Sequence, residues 1–520
     1  MIRASLYDTT LRDGAQREGL SFSVDDKLRI TKRLDDFGIH YIEGGWPGAN
    51  PKDIEYFEKA KKLELSNATI VAFGSTRHPK NKVADDENLK HLMDAGTKAV
   101  CLVGKTWGFH VEHALNTTIE ENLKMIGESI AYLKEKGRIV FFDAEHFFDA
   151  YHYNPEYAIQ ALQAADKVGA DCLILCDTNG GALPSDISSV VRLVKNQFKT
   201  DIGIHAHNDG DCAVANSIVA VEAGATQVQG TINGYGERAG NANLCSIIPG
   251  LTLKRNIQCV TPEQLSLLTE VSHFVSEVAN VSPNTHQPYV GESAFAHKGG
   301  LHVSALTRHN AYEHIDPALV GNIRRVLVSE LSGKSTVVMK AKELGLDLTE
   351  EPEKVQDILN TVKQLEHVGY HFEAADASFE ILIRKSTGTY SSFFQLESFR
   401  VIMDKTAEGG VNTEATIKLG CKGKRYVETA EGNGPVNALD TALRMAIGRA
   451  YPEVNDIELT DYKVRVLDEK KGTGAVVRVL IDSSNGEQVW STVGVSENII
   501  EASWQALVDS IDYGLTHKKS

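Results

Sequence analysis

The first 234 residues repeat one pattern eight times, and this repetition constrains the fold more than any other feature. Each repeat is a short run rich in β-branched and other apolar residues, followed by a longer segment with helical periodicity. In the segment after the first run, Ser23 or Asp25 can cap a helix that ends at Gly38. The eight runs are residues 2–10, 39–46, 69–75, 99–105, 138–147, 171–179, 201–209 and 226–234.

Eight strand–helix units within about 250 residues are typical of a (β/α)8 barrel. A doubly wound sheet is the alternative. It usually has fewer strands and would carry a Gly-rich phosphate-binding loop after its first strand, which this sequence lacks. We therefore predict an α/β fold that begins with a TIM barrel.

Beyond the barrel the pattern changes twice. Residues 251–285 have helical periodicity, and residues 292–322 are irregular and rich in His and Gly. After that come two repeats of three strands and a helix, with the helices at 433–448 and 498–511. We predict a catalytic barrel at 1–270, helical linker subdomains that contribute to the active site at 271–372, and a regulatory α+β domain of two βββα units at 373–520.

The composition narrows the class of protein. No apolar run approaches the roughly 20 residues that cross a bilayer, and the chain does not start with a basic segment followed by an apolar one. A net charge of −16 argues against nucleic acid or an anionic membrane as a partner. The seven cysteines include no CxxC pair, which is typical of reduced thiols. We therefore expect a cytoplasmic protein with small-molecule partners.

Polar and ionisable residues gather where the predicted strands end. In a (β/α)8 barrel, catalytic groups lie at the carboxyl ends of the strands and in the loops that follow them. The residues at these positions are Asp8, Arg12 and Asp13 after the first strand, Glu43 and Trp46 after the second, His110 after the fourth, Glu145 and Thr178 at the ends of the fifth and sixth, and His205 and His207 at the end of the seventh. They predict an active site at this mouth of the barrel.

Three of these residues, together with Asn241 in the loop after the eighth strand, have the chemistry of metal ligands. His205 and His207 are two residues apart on a strand, so both side chains point to the same face. Asp13 follows the first strand and Asn241 follows the eighth, both next to the seventh in a closed barrel. Oxygen and nitrogen donors together suit Mg²⁺, Mn²⁺, Co²⁺ or Zn²⁺ with positions left open for substrate oxygens.

Two other metal sites fit less well. A 2-His-1-carboxylate Fe(II) oxygenase usually lies on a double-stranded β-helix rather than on a barrel. A barrel hydrolase of the amidohydrolase kind carries its HxH pair on the first strand, whereas this chain carries the pair on the seventh. Singly, Asp13 is also typical of a helix cap and Asn241 of a loop hydrogen bond, so the prediction depends on all four residues meeting at one mouth.

Several motifs resemble the family of 2-isopropylmalate, homocitrate and citramalate synthases, which belongs to a larger group of metal-dependent barrel lyases and aldolases. The motifs are DTTLRDGAQ (8–16), HAHND (205–209), GERAGNAN (236–243) and, after the barrel, FAHKGGLH (295–302). Further likenesses, at 312–322, 330–335 and 432–439, extend over nearly the whole chain. The stretch AQREG, in place of EQSPG, is closest to the citramalate synthase branch.

The resemblance implies a condensation of acetyl-CoA with a 2-oxo acid, which the metal ion holds through carboxylate and ketone oxygens as a Lewis acid. For the citramalate branch the acceptor is pyruvate, and the product, (R)-citramalate, feeds isoleucine biosynthesis. The resemblance also implies a homodimer and feedback by isoleucine at the C-terminal domain. The alternatives are 2-isopropylmalate or homocitrate synthesis with another 2-oxo acid, and a metal-dependent retro-aldol cleavage.

The same resemblance suggests a role for each site residue. Arg12 would stabilise the alkoxide that forms on the ketone, and His302, supported by Tyr312, would remove the methyl proton of acetyl-CoA. His297 competes with His302 for that role. Glu145 would orient His302 or activate the water that hydrolyses the thioester. Residues that would contact the 2-oxo acid are Gln16, His110 and Thr178, with Trp46 and Phe147 as walls of a methyl-sized pocket.

Overall fold

The computed structural model describes residues 4–298, 313–329, 332–343, 345–405, 407, 409–467 and 474–517. The chain divides into two compact units. The first consists of Met1–Phe295 and Ile315–Arg324, and the second of Ala296–His314 and Arg325–Ser520. The predicted linker is therefore shared between the two units, and the three predicted domain boundaries stay predictions.

The first unit contains a closed barrel of eight parallel strands, in which β1 pairs with both β2 and β8. This arrangement confirms the predicted (β/α)8 barrel. The strands are β1 (Ser5–Asp8), β2 (Tyr41–Gly45), β3 (Thr69–Ser75), β4 (Ala99–Lys105), β5 (Ile139–Glu145), β6 (Cys172–Asp177), β7 (Asp201–Ala206) and β8 (Gln227–Gly230).

Helices connect the strands. The helix α1 shows how local sequence sets their limits, because Ser23 and Asp26 form a reciprocal capping box and Gly38 ends the helix at a φ of 96°. Ser23, rather than Asp25, is therefore the N-cap. The helices of this unit are α1 (Val24–Phe37), α2 (Pro51–Ala60), α3 (Glu87–Asp94), α4 (Gly108–His113), α5 (Ile119–Glu135), α6 (Phe147–Tyr153), α7 (Pro155–Asp166), α8 (Pro184–Gln197), α9 (Ala213–Glu222), α10 (Leu244–Pro249), α11 (Pro262–Leu265) and α12 (Leu268–Val278).

Successive residues of the barrel strands pack into two different hydrophobic cores, one outside the barrel and one inside it. Side chains such as Leu6 and Leu102 pack outward against the helices, where they join the larger core of the first unit. Side chains such as Tyr7, Phe73 and Phe141 fill the interior of the barrel. The candidate site lies at the carboxyl end of the barrel, next to this packed interior.

The second unit contains two three-stranded antiparallel sheets, each followed by a helix, as the predicted βββα repeats require. The first repeat is β11 (Gln395–Lys405), β12 (Val411–Cys421), β13 (Lys424–Gly432) and α16 (Pro435–Gly448). The second is β14 (Glu458–Val466), β15 (Val477–Ser484), β16 (Val489–Ser496) and α17 (Ile499–Thr516). The remaining elements of the unit are the two short strands β9 (Ala296–His297) and β10 (Arg325–Val326) and the helices α13 (Lys334–Glu343), α14 (Pro352–His367) and α15 (Asp376–Thr387).

Two further observations concern the hydropathy of the helices and the state of the cysteines. None of the described helices is both long enough and apolar enough to cross a membrane. All seven cysteines are free thiols, and all but Cys212 are buried.

Candidate metal and active site

Three of the four predicted metal ligands meet at the carboxyl end of the barrel. The Oδ2 atom of Asp13 lies 3.2 Å from Nε2 of His205 and 3.7 Å from Nε2 of His207. The two Nε2 atoms are 3.2 Å apart, and all three residues are buried. One ligand atom from each residue can therefore reach a common point, and the group can hold a metal ion.

Asn241 lies beside this group and brings a fourth polar atom to it. Its Nδ2 donates a hydrogen bond of 2.7 Å to Oδ2 of Asp13, and a bridge in the backbone joins Asn241 to His207. Its Oδ1 is buried and has no hydrogen-bond partner among the described residues. A buried amide oxygen without a partner is costly, and a cation bound by the three neighbouring residues would satisfy it. The donors present thus fit a divalent ion.

The loop that carries Asn241 requires a glycine. A Cβ atom on Gly236 would lie 1.9 Å from Oδ1 of Asn241, well inside any allowed contact. The GERAGNAN motif therefore places glycine where the backbone must pass directly against the ligand group.

A buried chain of hydrogen bonds orients His205. Nδ1 of His205 lies 2.8 Å from Oε1 of Gln229, and Nε2 of Gln229 donates to Oδ1 of Asp143 at 3.2 Å. Because an amide oxygen only accepts, Nδ1 carries the proton and Nε2 keeps its lone pair for a metal. Gln229 and Asp143 are not among the residues predicted from the sequence, although polar residues on inward-facing positions of β8 and β5 were a usable signal.

The electrostatics favour the ligand forms of His207 and Asp13. Burial acts to lower the pKa of His205, but its contact with Asp13 outweighs burial and raises that pKa. Burial, and then the charge of His205, lowers the pKa of His207 to about 4, so its imidazole is neutral at neutral pH. Burial acts to raise the pKa of Asp13, but Arg12 and His205 outweigh it and hold that pKa well below its usual value. A neutral imidazole and an ionised carboxylate are the forms that bind metal ions.

Arg12 lies at the edge of the ligand group, between two carboxylates. Its Nε is 2.5 Å from Oε1 of Glu43, its Nη1 is 3.4 Å from Oδ1 of Asp13, and its guanidinium carbon lies 3.9 Å from the ring centroid of Phe73. Glu43 also accepts a hydrogen bond from the hydroxyl of Tyr7. Burial acts to lower the pKa of Arg12, but Glu43 and Asp13 raise it above its usual value. The guanidinium is therefore a permanently charged, fixed group.

Other predicted residues surround the mouth on β4, β5 and β6. Glu145, at the end of β5, forms an ion pair with Lys105 at the end of β4. The hydroxyl of Thr178 accepts a hydrogen bond of 2.9 Å from the backbone N–H of His146. The ring of His110 lies 4.7 Å from that of His146, centroid to centroid. Burial, and then the charge of His146, lowers the pKa of His110.

The remaining predictions have mixed outcomes. Gln16 ends a short 3₁₀ turn and is exposed. His302 and Tyr312 lie outside the described residues, while His297 belongs to the second unit and pairs with Glu313 at 3.1 Å. Their roles stay predictions.

The two predicted pocket walls differ in their exposure to a cavity. Trp46 lines a cleft of about 530 Å³ together with Lys105 and Glu145. Phe147 is fully buried among the helices, next to Phe148, and so the prediction that it lines a pocket is wrong. The alternation of β5 does not continue past Glu145, because His146 adopts a left-handed conformation and turns the chain.

An arginine that the sequence analysis did not single out ties three loops together. Nε and Nη2 of Arg238 lie 2.7 and 3.0 Å from the two carboxylate oxygens of Asp209, and Nη2 also donates to the carbonyl of Thr178 at 2.8 Å. These contacts join the loops that follow β6, β7 and β8. The bidentate arrangement fixes the loop that contains Asn241 relative to Thr178.

Comparisons with known proteins cover the whole chain. Residues 3–275 match the HMGL-like family, residues 289–369 match the homocitrate synthase post-HMGL domain-like family, and residues 373–515 match the LeuA allosteric (dimerisation) domain. An (R)-citramalate synthase of Aquifex aeolicus is 54% identical over 513 residues, which are 98% of this chain and 97% of the relative.

Two further relatives with the same name are nearly as similar. The (R)-citramalate synthase of Geobacter sulfurreducens is 54% identical over 520 residues, covering 100% of this chain and 98% of its own. That of a Synechocystis species is 53% identical over 523 residues, covering 98% and 96% of the two chains. The similarity thus extends over both compact units.

Proposed function

Because this chain belongs to the (R)-citramalate synthase family, we propose that it condenses acetyl-CoA with pyruvate and water to give (R)-citramalate and coenzyme A. The enzyme is then a transferase that converts an acyl group into an alkyl group. One observation carries the proposal. More than half of the aligned residues are identical to those of three (R)-citramalate synthases, over nearly the whole length of each chain. In the cell, we expect it to act in the cytoplasm, in isoleucine biosynthesis.

We propose Asp13, His205, His207 and Asn241 as the ligands of the metal ion. The burial of the group, the hydrogen bond between Nδ1 of His205 and Gln229, and the unpartnered Oδ1 of Asn241 support this assignment. When bound, a divalent cation such as Mg²⁺, Mn²⁺, Co²⁺ or Zn²⁺ would supply Lewis-acid polarisation of the ketone of pyruvate.

Arg12 would carry the positive charge for the transition state. Its guanidinium is held by Glu43 and lies next to Asp13, so it needs no reorientation when negative charge develops on the ketone oxygen. Preorganised charge of this kind is usually the largest single contribution to catalysis, because no solvent or side chain has to rearrange. Gln16, His110 and Thr178 are proposed to bind the 2-oxo acid around it.

Residues at the end of β5 and in the segment after the barrel are proposed to transfer protons. His302, supported by Tyr312, is proposed as the base that removes the methyl proton of acetyl-CoA. Glu145 is proposed either to orient that base or to activate the water that hydrolyses the thioester. Its ion pair with Lys105 supports the first role, because the carboxylate is already engaged with a cation.

We expect the chain to form a homodimer that isoleucine inhibits. The match of residues 373–515 to an allosteric dimerisation domain supports both expectations. Light scattering would test the dimer, and a titration of thiol release with isoleucine, with leucine as the control, would test the feedback. A monomer, or inhibition by leucine alone, would contradict these expectations.

Release of free thiol from acetyl-CoA with a panel of 2-oxo acids tests the function itself. We expect turnover with pyruvate and at least tenfold lower kcat/KM with 2-oxoisovalerate or 2-oxoglutarate. The former adds two carbons, each worth about 1–3 kcal/mol in a small pocket, and the latter adds a charged carboxylate that an apolar pocket would have to desolvate. Turnover with 2-oxoisovalerate but not pyruvate would indicate 2-isopropylmalate synthesis. Absence of condensation, together with cleavage of hydroxyacyl-CoA substrates, would indicate a lyase.

A further inference from the structure

His146, which follows Glu145 at the end of β5, has the surroundings of a general base. Its backbone has a φ of 53°, a left-handed conformation that costs free energy for a residue with a side chain. Such conformations persist only where the surrounding structure holds them, and they concentrate at functional sites. The conformation places the imidazole against His110 and Trp107 rather than continuing the strand.

A carboxylate holds the imidazole in one orientation. Nδ1 of His146 lies 3.0 Å from Oδ2 of Asp149, and Oδ1 of Asp149 accepts a hydrogen bond of 3.1 Å from the amide of Asn179. Hydrogen bonding to His146 lowers the pKa of Asp149, so the carboxylate is ionised at neutral pH. An ionised acceptor at Nδ1 keeps the proton on that atom, which leaves a lone pair on Nε2. Nε2 has no hydrogen-bond partner among the described residues.

His146 and Asp149 also lie next to residues that are already assigned to the site. The backbone N–H of His146 donates to the hydroxyl of Thr178, which ties the ends of β5 and β6 together. Lys105 and Glu145 are close enough for their charges to act on the neighbouring His110. The metal group lies at the end of β7 and in the loops that follow β1, β7 and β8, so His146 and Asp149 border a different part of the mouth.

We propose that His146, oriented by Asp149, is the base that activates water for hydrolysis of the thioester, the second half of the proposed reaction. As the water oxygen forms a bond to the thioester carbonyl carbon, His146 Nε2 takes its proton. The carbon–sulfur bond then breaks, its electron pair goes to sulfur, and the imidazolium returns the proton to the departing thiolate. Glu145 is left to orient the base that acts on acetyl-CoA.

The proposal rests on the proposed function, and the test separates the two. Citramalyl-CoA is supplied to the metal-loaded enzyme, and two product pairs are measured: citramalate with CoA from hydrolysis, and acetyl-CoA with pyruvate from reversal of the condensation. His146→Asn is the main variant, because Asn tolerates a left-handed backbone and cannot act as a base. Asp149→Asn tests the positioning role, and His152→Asn, at an exposed position of the same helix, is the control.

We expect His146→Asn to lower hydrolysis by about 100-fold or more while reversal changes little, so that the product ratio shifts towards acetyl-CoA. Asp149→Asn should shift the ratio in the same direction by a smaller factor, without raising the KM for citramalyl-CoA, and His152→Asn should leave it unchanged. Equal loss of both product pairs, or an unchanged ratio, in the two active-site variants would overturn the proposal. A wild-type enzyme that forms neither product pair and releases no thiol with pyruvate would overturn the proposed function as well. If His146→Asn does not fold, the ratio of hydrolysis to reversal products measured for Asp149→Asn tests the proposal in its place.

Discussion

Nε of Arg12 lies 2.5 Å from Oε1 of Glu43, and this contact joins the loop after the first barrel strand to the end of the second. The Glu43 side chain is fully buried, and the Arg12 side chain is only 14% exposed. Water therefore screens the pair little, and the guanidinium is held in one position beside Asp13. The position of this charge next to the ligand group is the basis of the first prediction.

Arg12→Lys should lower kcat by about 100-fold or more with a smaller change in KM. Lysine keeps the charge, but its ammonium cannot match the contacts that the planar guanidinium makes to Glu43 and Asp13. Steady-state thiol release checks the prediction. Arg17→Lys, at an exposed position of the same loop, is the control and should retain activity. A kcat for Arg12→Lys within threefold of the wild type would remove Arg12 from the proposed mechanism.

Much of the fold was predictable because the signals are local. The alternation of strand and helix patterns depends on neighbouring residues, and so do the N-cap at Ser23 and the C-cap at Gly38. Barrel closure then brings Asp13 to His205 and Asn241, far apart in sequence, because the first strand must lie between the second and the eighth.

The partners of the site residues were not predictable in the same way. Neither the ion pair of Glu145 with Lys105 nor the contact of Gln229 with His205 follows from spacing, since each depends on side-chain geometry across neighbouring strands. Phe147 lies just beyond the end of β5. The left-handed backbone at His146 interrupts the strand, so the Phe147 side chain does not point to the face that strand alternation predicts. A left-handed residue that is not glycine has only a weak sequence signal, since Asn, Asp and His are enriched there but adopt other conformations far more often.

His207→Ala should abolish metal binding and turnover while the fold is retained. The variant removes one of the ligand atoms and leaves a small cavity at the barrel end, where the side chain is buried. Calorimetric titration with Mn²⁺ and the rise of the thermal midpoint on metal addition are the measurements. His286→Ala, at an exposed position, is the matched control. A metal-dependent rise equal to that of the wild type would contradict the ligand assignment.

Gly236→Ala should weaken metal binding without unfolding the protein. The added Cβ would lie 1.9 Å from Oδ1 of Asn241, so the loop or the amide must move. Gly137→Ala is the control, because Gly137 also has a positive φ but nothing lies within 4 Å of its added Cβ. We expect a loss of metal affinity of about tenfold or more for Gly236→Ala alone. Equal affinities of the two variants would show that the close approach is not needed.

Asp512→Asn should change the pH dependence of stability in the second unit. Burial raises the pKa of Asp512 from 3.8 to about 6. The folded state therefore holds a proton that the unfolded state releases, and the stability this gives is lost as pH rises from about 3.8 to about 6. Asparagine stays neutral and has no such loss.

Urea unfolding of both proteins at about pH 5 and about pH 7.5 checks this sign. A pKa near 6 predicts that the wild type loses about 1 kcal/mol more than Asp512→Asn over this range. Asp456→Asn, at an exposed position, is the control and should follow the wild type. A wild type that instead gains stability relative to Asp512→Asn would mean that the carboxylate is ionised in the folded state.

Gln229→Met should weaken metal binding by about 10- to 100-fold and leave the barrel folded. Methionine has nearly the volume of glutamine, but its sulfur is only a weak acceptor for a hydrogen bond from Nδ1 of His205, so the tautomer with the proton on Nδ1 is less favoured. Gln229→Glu keeps an acceptor for Nδ1 of His205 but loses the donor to Asp143, so it should bind the metal more tightly than Gln229→Met if the contact to His205 is the one that matters. Calorimetric titration with Mn²⁺ measures the metal affinity of the wild type and of both variants. If Gln229→Met binds as well as the wild type, the hydrogen bond to Gln229 does not select the ligand form of His205.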